Sequence, residues 1–215
     1  MSATEWNVAE AIDYVSMSDP TMAAVIHAVG PYELKTDSSP FRMLVRSITG
    51  QQLSVKAAAT IWRRLVDLNG SRRISPASLN RLSNFELRTA GVSRAKIRAI
   101  RDITEAFGSR RITAAYLKTL NDDSVKSELI KLQGVGPWTA DMFLMFALGR
   151  PDVFPIGDLG IVQAIQAFYP TRDTADVQNL QVIAEQWRPY RTLASWYCWQ
   201  GLNLVRTTDW KPLRA

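Results

Sequence analysis

Leu132-Gln-Gly-Val-Gly-Pro-Trp-Thr-Ala140 is the stretch on which the reading of this chain turns. It lies between a short helical segment ending near Lys131 and an apolar helix beginning near Trp138, so it predicts helix, tight glycine hairpin, helix over about 124–148. Gly134 and Gly136 permit positive φ and carry no side chain, and with Val135 between them they let backbone N–H groups approach an anion directly. Pro137 suits the first helical position, where its missing N–H costs nothing. The helix N-terminus adds partial positive charge, giving an anion site built from backbone and blind to base identity. Taken alone, Gly-x-Gly-Pro more often makes a plain αα-turn, so the downstream segment decides.

That segment is Pro151-Asp-Val-Phe-Pro-Ile-Gly-Asp-Leu-Gly-Ile161, which sets Asp158 just before an amphipathic helix. Asp158 is expected to be its N-cap, accepting bonds from the next backbone N–H groups. Such bonds favour the ionised form, so this carboxylate suits the stabilisation of a developing cation. Asp152, upstream on the same loop, is the alternative carboxylate.

Helical periodicity with Gly, Pro, Ser and Asn punctuation continues in both directions, with no run of alternating strand residues. The expected fold is all-α. Helices are expected at 6–17, 21–29, 41–49, 55–68, 76–83, 94–107, 124–131, 138–148 and 159–169, then at 177–204 with a break at Pro189. Gly70, Gly108 and Gly149 come directly after apolar runs and read as left-handed C-caps. The 215 residues, 47% hydrophobic, suffice for one unit of two helical lobes, the second spanning roughly 76–204 minus whatever the chain ends exchange.

The formal charge of +6 suits a polyanion and many ordinary proteins alike. The single cysteine, Cys198, excludes a disulfide framework, a Cys-rich zinc site and a four-cysteine iron-sulfur cluster, and points to a reducing compartment. The single histidine, His27, in an apolar helical stretch, reads as structural and leaves few routes to a nucleophile triad. No secretory leader or membrane span is read in the chain.

Together, Gly134–Ala140 and Pro155–Ile161 resemble the alkylation-repair branch of the helix-hairpin-helix DNA glycosylases, the DNA-3-methyladenine glycosylase II type, at similar spacing. Ser47-Ile-Thr-Gly-Gln-Gln-Leu-Ser-Val-Lys-Ala57 is similar to that family's Gly-Gln-Gln-Leu-Ser loop, and Ala90-Gly-Val-Ser-Arg-Ala-Lys-Ile-Arg-Ala99 to its Gly-Leu-Ser-x-x-Lys segment. The stretch from Trp187 to Trp199 is similar in spacing to its C-terminal aromatic helix.

The resemblance implies a two-lobed helical bundle with a DNA groove between the lobes. It also implies a monofunctional glycosylase that flips alkylated bases such as 3-methyladenine and 7-methylguanine out of duplex DNA and hydrolyses the N-glycosidic bond. Asp158 is then the catalytic carboxylate, Trp138 and Trp199 wall the base pocket, and Met142 stands where some members carry a pocket aromatic. Gln52 and Leu53 become the minor-groove wedge, replacing the extruded base in the stack. Plain structure accounts for the same loop as a helix break at Gly50 with Ser54 capping the next helix.

Arg94, Arg98 and Arg101 share a helical face, with Arg94 the candidate phosphate contact against the plainer reading of a solvated face. Core packing is the default for Trp62 and Trp196 and competes with the pocket role at Trp199. The backbone carbonyls of Ile130, Leu132 and Val135 are the family's ligands for a Na or K ion; no organic cofactor is implied. Strand-cutting relatives carry a lysine where this chain has Trp138, so no Schiff base can form there. The implied partner is duplex DNA with alkylated bases, met by a monomer in a bacterial cytoplasm or a eukaryotic nucleus. The rival is a non-catalytic helix-hairpin-helix DNA-binding module, which needs Gly134 and Gly136 but neither Asp158 nor aromatic walls.

Overall fold

Short polar side chains open most helices. Asn7, Asp19, Ser39, Ser54, Ser83, Ser93 and Asn121 each accept a bond from a backbone N–H two or three residues on, satisfying donors the first helical turn leaves orphaned. The structure, a computed structural model, describes residues 6–169 and 177–211, and among these it contains helices and no strand. In chain order they are α1 (Val8–Ser18), α2 (Pro20–Val29), α3 (Pro40–Gly50), α4 (Val55–Asn69), α5 (Pro76–Asn80), α6 (Asn84–Thr89) and α7 (Arg94–Gly108). The remaining helices are α8 (Ala114–Thr119), α9 (Asp122–Ile130), α10 (Pro137–Phe146), α11 (Leu159–Phe168), α12 (Val177–Glu185) and α13 (Arg191–Thr207). No helix among the described residues is long and apolar enough to cross a membrane.

The all-α expectation holds, with α6 and α8 added; each has 6 residues, too few for a periodic pattern to declare itself. Gly70 and Gly149 have the expected positive φ of 68° and 67°. Gly108 does not: it is the last residue of α7, and the left-handed residue is Arg110 at φ 61°.

The chain forms two units, residues 37–148 and a second assembled from 1–36 with 149–215. This division differs from the 76–204 lobe because the two chain ends share a core. Val15, Met22 and Val25 of the first helices join Ile161, Ile165, Leu193 and Tyr197, all buried. Gly201 allows this packing: a Cβ there would lie 2.7 Å from both Phe168 Cζ and Val25 Cγ1. Asp19, 2% exposed, caps α2 and accepts the Trp187 indole N–H at 2.8 Å and the Tyr169 hydroxyl, so its burial is compensated. His27 lies on α2, in the apolar stretch expected to be helical, with its own side chain exposed.

In the unit of residues 37–148, α7 packs against α3 and α5, and α9 against α10. Lys126 and Asp141 pair at 2.6 Å across the latter two helices, with the Asp141 side chain 8% exposed. Only the Asp141 end of the pair is buried, so the ion pair compensates that carboxylate and links the two helices of the hairpin. Trp62 is not core: it is half-buried, with the Arg46 guanidinium 5.9 Å above its ring. Trp196 packs edge-on against Tyr32 and Tyr197 beside the other unit's core.

Candidate functional site

Asp158 caps α11 as expected, accepting the Ile161 N–H at 3.0 Å on Oδ1. The same oxygen accepts the Trp199 indole N–H at 2.9 Å, from a residue 41 positions away on α13. Two donors of fixed direction therefore orient a half-buried carboxylate. Gly160 makes room for this: a Cβ there would stand 3.0 Å from Asp158 Oδ1 and 3.1 Å from Trp199 Cδ1. Trp199 thus touches the carboxylate itself, a contact that spacing does not disclose. Asp152 is committed elsewhere, bonding Arg191 Nε at 2.6 Å and Arg188 at 3.1 Å.

In the other unit, the hairpin joins α9 to α10. Val135 N–H donates to Leu132 O at 3.1 Å, closing the turn, and Gln133 N–H donates to Asp102 Oδ2 at 2.7 Å. Gly134 has φ 78°, and a Cβ on it would come within 2.9 Å of Ala99 Cβ. Gly136 differs from expectation, being extended at φ −102°, ψ 178°, and a Cβ there would meet no atom within 4 Å. The first glycine serves backbone conformation and packing, while the second leaves the start of α10 open. Gly136 is the N-cap and supplies no side-chain capping bond, and Pro137 stands in the first turn. Trp138, next along, is 38% exposed; Met142 is 6% exposed, within the buried run from Thr139 to Met145. Trp138 belongs to this unit and Trp199 to the other. Of the hairpin carbonyls, Leu132 O already accepts one N–H, leaving a second lone pair.

The loop after α3 is a turn from Gly50 to Leu53, closed by Leu53 N–H to Gly50 O at 3.3 Å. Gln51 has φ −50°, ψ 135° and Gln52 has φ 55°, the type II arrangement that ordinarily places glycine third. Holding a non-glycine residue there costs roughly 1–2 kcal/mol. Gln52 and Leu53 are both exposed, as a wedge requires. Two residues that the sequence did not single out support the turn. Lys96 Nζ donates to Thr49 O at 2.9 Å and Gln51 O at 2.8 Å, and partial burial pulls its pKa below the ordinary lysine value. Gln51 Nε2 donates to Gly134 O and Thr139 Oγ1, both at 3.1 Å. The Gly-Gln-Gln and Ser-x-x-Lys patterns were the available signals, but neither says where the side chains end.

The arginine face divides. Arg101 bonds Leu79 O at 2.9 Å, Asn84 Oδ1 at 3.0 Å and Leu82 O, a structural clamp, whereas Arg94 and Arg98 are exposed. They flank Phe85, which is 76% exposed, around a shallow hollow of about 350 Å³. Cys198 is fully buried, which pushes its thiol far above the usual range and leaves it unreactive.

The chain is similar to known proteins in sequence and in fold. A DNA-3-methyladenine glycosylase 1 of Schizosaccharomyces pombe is 29% identical over 94% of this chain and 90% of its own length. The crystal structure of a DNA-3-methyladenine glycosidase from Bacillus halodurans superposes with TM-score 0.81 at 35% identity, covering 91% of this chain and 90% of that one. A Schizosaccharomyces pombe 3-methyladenine DNA glycosylase in complex with abasic DNA superposes with TM-score 0.82 at 26% identity, over 94% and 99% of the two chains. Residues 45–189, which hold the turn, the hairpin and Asp158, match the family described as HhH-GPD superfamily base excision DNA repair protein, and to that family this chain belongs.

Proposed function

We propose that the chain is a monofunctional DNA glycosylase that releases alkylated bases, such as 3-methyladenine and 7-methylguanine, from duplex DNA. The observation that carries this reading is Asp158, a half-buried carboxylate held by two N–H donors at the start of α11. The names of its relatives support the substrate class. As the C1′–N bond of a flipped nucleotide breaks, both electrons leave with the base and the sugar becomes an oxocarbenium ion. An alkylated purine that already bears positive charge departs neutral, so the step needs no general acid. Asp158 stabilises the sugar cation as it forms; water adds to C1′ and loses a proton, leaving free base and an abasic site.

By the family resemblance, Trp138 of one unit and Trp199 of the other are the rings assigned to stacking on a cationic base, and Met142 is buried within α10. The open start of α10, at Gly134 to Pro137, takes a backbone phosphate, and Gln52 with Leu53 fills the vacated stack. The carbonyls of Ile130, Leu132 and Val135 are uncharged oxygen donors on one turn, a set that suits a monovalent cation rather than a divalent one. Such an ion, when bound, would add positive charge beside the phosphate. Trp138 in place of an amine makes the enzyme hydrolytic only, so borohydride should trap no covalent adduct with an abasic duplex.

Asp158→Asn tests the reading, since Asn keeps an oxygen for Ile161 and Trp199 while removing the charge. A unit charge pair about 4 Å apart at an effective dielectric of about 20 is worth roughly 4 kcal/mol, so single-turnover release of 7-methylguanine should fall about a thousandfold. Duplex affinity and melting temperature should stay near wild type. Release at the wild-type rate by the folded variant would sink the mechanism and favour the non-catalytic DNA-binding module.

A further inference from the structure

We infer that Lys96 is a positioning residue for base extrusion: its ammonium clamps the strained turn that presents Gln52 and Leu53, while Gln51 ties that turn to the hairpin. The inference rests on the wedge reading of Gln52 and Leu53. Thr49 O belongs to the last turn of α3 and Gln51 O to the turn itself, carbonyls that helix geometry leaves without an intrahelical partner. Lys96 reaches both from α7, at 2.9 and 2.8 Å, from 47 and 45 residues away. A cation there also complements the negative end of the α3 dipole. Gln51 adds the second fixture, bridging to Gly134 O and Thr139 Oγ1 on the hairpin and α10.

The turn is thus bolted to two separate elements although its third residue, Gln52, holds a conformation that glycine would adopt without strain. Strain retained at an exposed glutamine is explicable if that side chain must point outward. A wedge is pushed back by the base stack it enters, and an unsupported turn already under strain would relax rather than transmit that load. The supports let extrusion of the base proceed without distorting the loop. They also join the wedge to the phosphate anchor, so that the hairpin's grip on the backbone sets the depth of insertion.

Lys96→Met removes both bonds while keeping an apolar side chain of similar length. The experiment compares single-turnover release of 7-methylguanine from a fully paired duplex with release of the same lesion placed in a single-nucleotide bulge, where little extrusion work remains. The expected result is a loss of about tenfold or more on the paired substrate, a bulge rate within about twofold of wild type, unchanged affinity for undamaged duplex, and partial recovery in Lys96→Arg. Equal losses on both substrates, or none on either, would overturn the inference. The double truncation Gln52→Ala/Leu53→Ala serves as the reference: if it does not favour the bulge, the wedge reading itself fails, whereas if it does and Lys96→Met does not, only the clamp fails. Should Lys96→Met be too unstable for the rate comparison, the same substitution is made with Gln52→Gly, which removes the strain being held. Lys96→Met should then lower the melting temperature less in the Gln52→Gly background than in wild type, and equal losses in the two backgrounds would also defeat the clamp.

Discussion

Helices α10 and α11 both begin after a glycine-containing turn, yet their first turns are completed in opposite ways. At α11 the chain supplies its own anion, Asp158, which takes the Ile161 N–H at 3.0 Å. At α10 the N-cap is Gly136, which has no capping side chain, and a Cβ there would meet no atom within 4 Å. The same partial positive charge is filled from within in one case and open to solvent in the other. Under the proposed function the difference separates two jobs: the start occupied by the protein's carboxylate would fix a negative charge for chemistry, and the one left open would recruit a negative charge from the ligand.

After the loss at Asp158→Asn, the largest effect should come from making α10 resemble α11. Gly136 is extended, so Gly136→Asp fits the backbone and can cap the helix itself. The fold should keep its stability, while affinity for damaged and undamaged duplex should fall about tenfold to a hundredfold, because a carboxylate now competes with phosphate. Gly136→Ala should give a smaller loss, again equal on both duplexes. A deficit confined to lesion-bearing DNA, read by fluorescence anisotropy, would break the comparison and move this helix start into the base pocket.

The neighbouring glycine should behave otherwise. Gly134→Ala places a methyl carbon 2.9 Å from Ala99 Cβ at a φ of 78°, so it strains both backbone and packing. Urea unfolding should show a loss of about 1–3 kcal/mol. Wild-type stability in this variant would show that the packing of α7 against the hairpin yields easily. The two glycines would then no longer divide into a structural one and an open one.

These two glycines also show where sequence reading stops. In Gly-Val-Gly-Pro they are interchangeable letters; a φ of 78° and the approach of Ala99 from α7 make the first the one on which packing depends. Asp158 was legible because an N-cap bond spans three residues, and the segment around it marks a helix start. Its second donor, Trp199, lies 41 residues away, and the clamp from Lys96 to Gln51 spans 45, distances at which neither periodicity nor motif fixes direction. The chain-end core failed in the same way: nothing local to Val15 or Met22 announces that Leu193 and Tyr197 will cover them. Helix types and most boundaries were readable because capping and amphipathic period are local, whereas the orientation of the arginine face was not.

That face supplies the smallest and most discriminating prediction. Spacing puts Arg94, Arg98 and Arg101 together, but Arg101 spends its guanidinium on Leu79 O, Leu82 O and Asn84, leaving Arg94 and Arg98 exposed. If Arg94 touches a phosphate, Arg94→Ala removes one ion-pairing charge, and the slope of log affinity against log salt should become shallower by about one. The loss should be uniform across sequences and should fade as salt rises. Gly136→Ala removes no charge, so it should weaken binding at every salt concentration with its slope unchanged. Arg101→Ala should lower the melting temperature and leave the slope alone. The slope therefore separates anchoring by charge from anchoring by a helix start, and an unchanged slope in Arg94→Ala would return that residue to the solvated surface and leave the open start of α10 as the phosphate anchor of its unit.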